Sequence, residues 1–310
     1  MGNEIASCGS PYGLFRGSVA VGLGDVSYRA LRSNAYRRVL HDVYTTPDQP
    51  ITHEVLCHAA SMISPPGTML TGCSAAVVYG LDMADAASPV ELVVPEKERF
   101  GPVRGLRIHR GPVRLCEAVA WREISIATPA RMALDLMLRS APRTKTLTGR
   151  LRAAVAYVDQ VLRKGLVTED QLSRLLVGRR DWGVVLARQA LTLVDARAES
   201  PPESELRVIL AMDGIPAEPQ YVVTHAGQFL GRLDLAYPDS LVAVEYDGRW
   251  HEDPEQMKRD EERRAALMRR GWRFVLVRHD DLSGDVSRIV AKVRDALRAA
   301  ADFSPLKSAA

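Results

Sequence analysis

The sequence predicts an α/β multidomain protein, and three observations carry that expectation. The 310 residues suffice for about two domains of roughly 150 residues each. The composition, 46% hydrophobic and 25% charged, is that of a globular chain with a sizeable core. Runs of helical period alternate with short β-branched runs along the chain, separated by Gly and Pro.

Residues 1–50 read as a winged-helix module. Ser18–Val21 and Tyr28–Arg32 are separated by Gly22-Leu23-Gly24-Asp25, a short Gly-containing turn of the kind that joins two crossing helices. Tyr36–Tyr44 follows as a strand-like stretch with a central turn, ended by Pro47. The second helix and the wing carry Arg29, Arg32, Arg37 and Arg38, expected to contact DNA phosphates. The plainer alternative is a solvated face of a small helical cap.

Residues 51–197 read as an α/β and helical scaffold. A helix is expected over Thr52–Ser64, with Thr52 as its N-cap and Pro65-Pro66-Gly67 ending it. Its His53-Glu54 and His58 do not make a zinc motif. That motif needs two His at i and i+4, and the interval here is five, which turns the second His off the face of the first. Ser74–Leu81 reads as a short helix, and Val90–Val94, Leu106–His109 and Ile124–Ile126 as strands. Helical pattern then covers Thr128–Arg139, Thr146–Leu162, Glu169–Leu176 and Leu186–Ala196. Residues 70–196 contain no catalytic constellation.

A boundary falls at Ala198–Pro202, where Ser200-Pro201-Pro202-Glu203 reads as a capping box with Pro in the first turn. Residues 198–310 then read as helix 202–213, strands 219–223, 228–237 and 241–247, helix 254–270, strand 273–278 and helix 285–300. That order suits a mixed sheet flanked by helices.

Within it, three acids stand where apolar side chains are expected. If Asp239-Ser240 is the turn of a hairpin, Asp234 lies opposite Glu245, with Cβ atoms roughly 5 Å apart. Period-two alternation adds Asp247 to the same face. Like charges opposed in this way destabilise a sheet unless a cation lies between them. Mg²⁺ (or Mn²⁺), held by one or two carboxylates with water and phosphate oxygens, fits Asp234 and Glu245. Gly248 lets the backbone turn away. His251 follows, and the next helix offers Lys258, Arg259, Arg263 and Arg264, with Arg259 and Arg263 on one face. Acids for a metal, a His for proton transfer and cations for charge stabilisation together suit phosphodiester hydrolysis. The alternative is a solvated strand end whose acids pair with Arg232 or Arg249.

Residues 200–285 carry Ser-Pro-x-Glu-Ser, Leu-Asp-Leu-Ala, Val-Glu-Tyr-Asp-Gly-Arg-x-His, Arg-Asp-x-x-Arg and Gly-Trp-Arg-Phe. This set resembles domain of unknown function 559. That family is similar to the very short patch repair endonucleases of the PD-(D/E)XK superfamily. The resemblance implies a restriction-endonuclease-like fold. It makes Asp234 and Glu245 the metal-binding acids and Glu203 an extra acid on the first helix, where it also serves the capping box. The chain departs from the pattern at Asp247, which stands where the superfamily usually has Lys. The repair endonucleases also lack that Lys, and Lys258 or Arg259 is a candidate substitute.

Residues 15–140 are more loosely similar to the AbiE-type antitoxins. The match rests on Gly17-Ser18-x-Ala20, Tyr28-Arg29-x-Leu31-Arg32, Tyr36-Arg37-Arg38-Val39-x-x-x-Val43-Tyr44 and Ser74-Ala75-Ala76-x-x-x-Gly80-Leu81. It implies DNA binding or neutralisation of a cognate toxin, without catalysis.

Bulk properties agree with a DNA partner. Residues 201–310 hold 16 of the 41 Lys and Arg and 19 of the 38 Asp and Glu, which leaves 25 and 19 in residues 1–200. The first part is basic and the second acidic. Only six of the basic residues are Lys; Arg suits phosphate contacts, and a GC-rich genome gives the same bias. The four cysteines are widely spaced without a C-x-x-C, as in a reducing cytosol. No apolar run reaches ~18 residues, and the first residues lack signal-peptide character. The expectation is a cytoplasmic protein with no membrane partner. It binds DNA and cuts it with Mg²⁺, or it is a non-catalytic regulator or type IV antitoxin with a degenerate nuclease domain. An RNA substrate stays open.

Overall fold

The computed structural model describes residues 12–139, 146–248 and 254–303. The chain divides into two compact units, one ending at Leu136 and the other beginning at Met137. The division falls inside the stretch that the sequence reads as one scaffold.

In the first unit, β1 (Phe15–Arg16) leads into two short helices, α1 (Gly17–Gly22) and α2 (Tyr28–Leu31). The Ser27 hydroxyl caps α2 by accepting from the Ala30 N–H. A hairpin of β2 (Arg37–Leu40) and β3 (Val43–Thr45) follows, and β1 joins it to give the order β1-β3-β2. Phe15, Ala20 and Val26 form its small core with Leu31, Tyr36 and Tyr44. Two short helices and a hairpin stand where the sequence puts them. β1 is an addition, because two residues carry no readable period.

α3 (His53–Ile63) is capped by Thr52, whose hydroxyl accepts from Val55 N–H as expected. β4 (Met69–Leu70), α4 (Gly72–Val78), β5 (Val90–Val94), β6 (Leu106–Arg110), β7 (Ala118–Trp121) and β8 (Ile124–Ala127) follow, then α5 (Pro129–Arg139). The strands form a mixed sheet in the order β6-β5-β4-β8-β7, with β4 parallel to β8 and β5 parallel to β6. β4 and β7 were not anticipated. Both histidines of α3 are core residues: the His53 ring lies 2.8 Å from Ser74 Oγ and 2.9 Å from the Asp85 carbonyl, and His58 packs against Tyr12 and Trp121.

The second unit opens with α6 (Leu147–Arg163), α7 (Glu169–Leu176) and α8 (Val184–Leu191). Thr168 and Gln171 form a reciprocal capping box on α7. α9 (Pro201–Met212) leads to β9 (Glu218–His225), β10 (Gln228–Tyr237), β11 (Val242–Asp247), α10 (Pro254–Met268), β12 (Arg273–Arg278), α11 (His279–Ser283) and α12 (Ser287–Phe303). The sheet order is β12-β11-β10-β9. β11 and β12 are parallel and the other pairs antiparallel, so the expected mixed sheet is present. Leu206, Ile209 and Leu210 of α9 and Ile289 and Val293 of α12 pack on Val242, Val244 and Val275. Leu267 of α10 packs with Ala243, Leu233 and Trp272 in a separate cluster. Alternation along β11 therefore sends Val242 and Val244 to one side and Ala243 to the other.

The expected boundary near residue 198 is bridged. Arg207 of α9 pairs with Asp159 of α6 at 2.7 Å, both buried, and Arg152 pairs with Glu205. No helix among the described residues is long and apolar enough to cross a membrane.

Candidate functional site

The site begins with the β10–β11 turn. Pro238–Ser240 makes a single 3-10 turn, and Leu241 closes it in the left-handed region at φ 52°. The turn sets the pairs Leu235↔Val244, Ala236↔Ala243 and Tyr237↔Val242. One step further along the same register, Asp234 stands opposite Glu245. The Tyr246 N–H donates to Asp234 Oδ2 at 3.1 Å and fixes that carboxylate against β11.

Glu245 is 6% exposed. Arg263 of α10 donates from one Nη1 to Glu245 Oε1 at 3.1 Å and to the Arg232 carbonyl at 2.9 Å. The arginine stem lies over Gly231, where a Cβ would meet its Cγ and Cδ at 3.2 Å. A larger residue at 231 would push the guanidinium away from Glu245. Arg263 Nε also stands 3.9 Å from Asp260 Oδ1, and Asp247 Oδ2 is 3.5 Å from Arg278 Nε. Asp234, Glu245, Asp247, Asp260, Arg263 and Arg264 line a cavity of about 140 Å³.

Burial, reinforced by the negative charges of Glu203 and Glu245, pushes the Asp234 carboxyl up to about 7. The cavity therefore favours a proton on Asp234, as expected for like charges that share a site, and Arg263 opposes this only in part.

Glu203 stands in the first turn of α9, the first helix of this region, where its carboxylate is held at the helix start. Its carboxylate accepts from Ser200 Oγ at 2.7 Å, from the Glu199 N–H at 2.9 Å and from Gln220 Nε2 at 2.7 Å. The Ser200 hydroxyl caps α9 through the Glu203 N–H, so half of the expected box forms and the other half reaches Glu199 instead. Glu203 acts on Asp234 by charge and does not line the cavity. Lys258 and Arg259 are exposed and also absent from the cavity wall. Arg263 and Arg264, one helical turn later, are the cations at the acids. His251 and Arg249 lie outside the described residues. Among the described residues no group of three or more His, Cys, Asp and Glu is arranged to hold a metal ion. The opposed carboxylates Asp234 and Glu245 are the hard oxygen donors that Mg²⁺ or Mn²⁺ takes.

In the first unit, Arg29 of α2, Arg32 at its C-cap, and Arg37 and Arg38 of β2 are all exposed. Sequence reasoning did not find Gln220. It sits in β9 at φ 54° and bonds Glu203, and no local signal marks a non-glycine residue for that conformation.

No family model matches the chain. It is similar to two proteins of Mycobacterium tuberculosis, uncharacterized protein MT2308 of strain CDC 1551 and uncharacterized protein Rv2248 of strain H37Rv. With each it is 31% identical over 233 residues, which span 71% of this chain and 78% of the relative. It is also similar to the crystal structure of the RV2827C protein from the same species. There the TM-score is 0.40 and the identity 16%, over 72% of this chain and 84% of that one. On the extent of the first two likenesses, the chain belongs to the family of uncharacterized proteins that includes Rv2248 and MT2308 of Mycobacterium tuberculosis.

Proposed function

We propose that the protein binds DNA through a winged-helix N-terminal module and hydrolyses DNA phosphodiester bonds with Mg²⁺ or Mn²⁺ in a restriction-endonuclease-like C-terminal domain. One observation carries the reading: Asp234 and Glu245 oppose each other in a polar cavity beside Arg263 and Arg264. Opposed buried acids are costly by themselves and useful when they hold a cation. Asp234 and Glu245 would hold the metal, with Asp247 beside them. A metal bound there would supply an activated water and neutralise charge on the phosphate. Arg263 and Arg264 would face the phosphate oxygens, and Asp234 must release its proton before the site can fill. His251, from the sequence, is assigned to phosphate orientation or proton transfer.

The test is cleavage of supercoiled plasmid, mismatched duplex and single-stranded DNA and RNA by the full chain with each metal. Mg²⁺- or Mn²⁺-dependent cleavage, abolished by Asp234→Ala in a variant that still melts cooperatively, is the expected result. A chain that binds DNA and cleaves none of these substrates supports the second reading. In that reading the protein is a non-catalytic DNA-binding regulator, or the antitoxin of a cognate toxin, on a nuclease-like scaffold. The Arg263–Glu245 pair favours it, because a guanidinium then takes the place of the cation.

A further inference from the structure

A second recess lies wholly within the first unit. It measures about 590 Å³ and is walled by the β2–β3 hairpin, α3, and the loops before β5 and β6. That size falls within the range of roughly 300–1,000 Å³ typical of small-molecule sites. The ionisable side chains on its wall are Arg38 and His41 from the hairpin and Arg104 from the loop before β6. No acidic residue lines it, and these three side chains make no hydrogen bond or ion pair with another described residue. Leu40 and Leu56, both buried, give the floor an apolar character.

The walls are held together. Gly105 takes φ 88°, and a Cβ there would meet Leu40 Cδ2 at 3.0 Å, so the loop closes on the hairpin because the residue is glycine. The Gly105 carbonyl accepts from Val90 N–H at 2.9 Å and ties the loop to β5. Asp85 secures the opposite wall by accepting from the N–H of Ala87 and from the N–H and hydroxyl of Ser88.

We propose that this recess binds a phosphorylated small molecule of nucleotide size, with the phosphate between Arg38, Arg104 and His41 and its less polar body against Leu40 and Leu56. Guanidinium forks match phosphate oxygens in bidentate geometry, and basic side chains on the wall of a recess with an apolar floor suit an amphiphilic anion. Arg38 is also one of the four arginines assigned to DNA, so an occupied recess withdraws it from the duplex. That corollary rests on the DNA reading, and the binding site does not.

The test is calorimetric titration of the full chain with AMP and with pyrophosphate at constant ionic strength, with sulfate as control. AMP should bind more tightly than sulfate. Arg104→Gln should weaken it at least tenfold, and Ala87→Trp, which fills the recess from an exposed position, should do the same. Both variants should keep the melting temperature of the parent. Failure of AMP and pyrophosphate to bind overturns the proposal, as does binding that both variants retain or that sulfate matches. If Arg104→Gln lowers affinity for duplex DNA while no small phosphate binds, the recess is a seat for the nucleic-acid backbone and the proposal falls. DNA binding scored with Arg29 and Arg32 variants separates this failure from failure of the DNA reading.

Discussion

At the scale of single residues, Asp234 decides the behaviour of the acid cavity. Its carboxyl is raised to about 7, first by burial and then by Glu203 and Glu245. Between the ordinary value of 3.8 and about 7, the native state keeps a proton that the unfolded chain has released. Stability therefore falls as pH rises through this window, the reverse of a carboxylate whose pKa is depressed. Asp234→Asn carries no titrating proton. Its stability relative to the parent should grow between pH 5 and pH 8, by on the order of 2 kcal/mol after discounting for solvent at a half-buried group. Urea melts of both proteins at the two pH values measure this. Mg²⁺ at pH 8 should raise the melting temperature of the parent and leave the Asn variant unmoved. A gap between the two proteins that does not change with pH would mean that Asp234 is ionised throughout and that the acids are already balanced by Arg263.

At the scale of elements, the N-terminal hairpin and the helix before it place Arg29, Arg32, Arg37 and Arg38 in solvent, as phosphate contacts require. Replacing all four by Ala should weaken DNA binding. It should also flatten the dependence of log affinity on log salt by roughly 0.9 for each B-DNA phosphate that is no longer neutralised. Titrations of a duplex at several salt concentrations give the slope, and an unchanged slope would remove these arginines from the interface. The elements that the sequence revealed share a physical feature, a local signal strong enough to act alone. Thr52 announces its helix through its cap, and β10 and β12 fall on the residues expected of them. The β10–β11 register was legible from a turn at Asp239-Ser240, and one step past the Leu235↔Val244 pair that register brings Asp234 level with Glu245. β4 was hidden because a two-residue strand has no period and depends on its non-local partners β5 and β8, and β7 because its four residues, Ala118–Trp121, are all apolar and show no alternation. The cation at the acids was half legible. Helical spacing put Arg259 and Arg263 on one face, and only the close approach over Gly231 selects Arg263.

At the scale of the whole molecule, the sequence divides the chain near residue 198, whereas the folded chain divides after Leu136. The difference matters for α6, whose buried face includes Val155, Val158 and Leu162. Asp159 on that helix is buried and holds the Arg207 guanidinium at 2.7 Å and the Asp195 N–H at 2.7 Å. Burial raises the Asp159 carboxyl and the Arg207 charge opposes the rise, so each side chain needs the other while both are away from water. Removing residues 146–197 would strip apolar cover from α9 and leave Arg207 without its carboxylate. Separating a buried pair costs about 3–5 kcal/mol, although part of this returns as the arginine rehydrates. A domain stable by only about 5–15 kcal/mol cannot lose both contributions and keep a cooperative fold. A fragment of residues 146–310 should therefore melt in a single transition. One of residues 198–310 should melt far lower or without cooperativity, and should lose any stabilisation by Mg²⁺ because Glu203 sits on α9 near Asp234. Near-ultraviolet circular dichroism and thermal melts of the two fragments decide the matter. If the shorter fragment melts as sharply as the longer one, α6 to α8 are dispensable to the sheet that carries Asp234 and Glu245, and the boundary read from the sequence is the folding boundary after all.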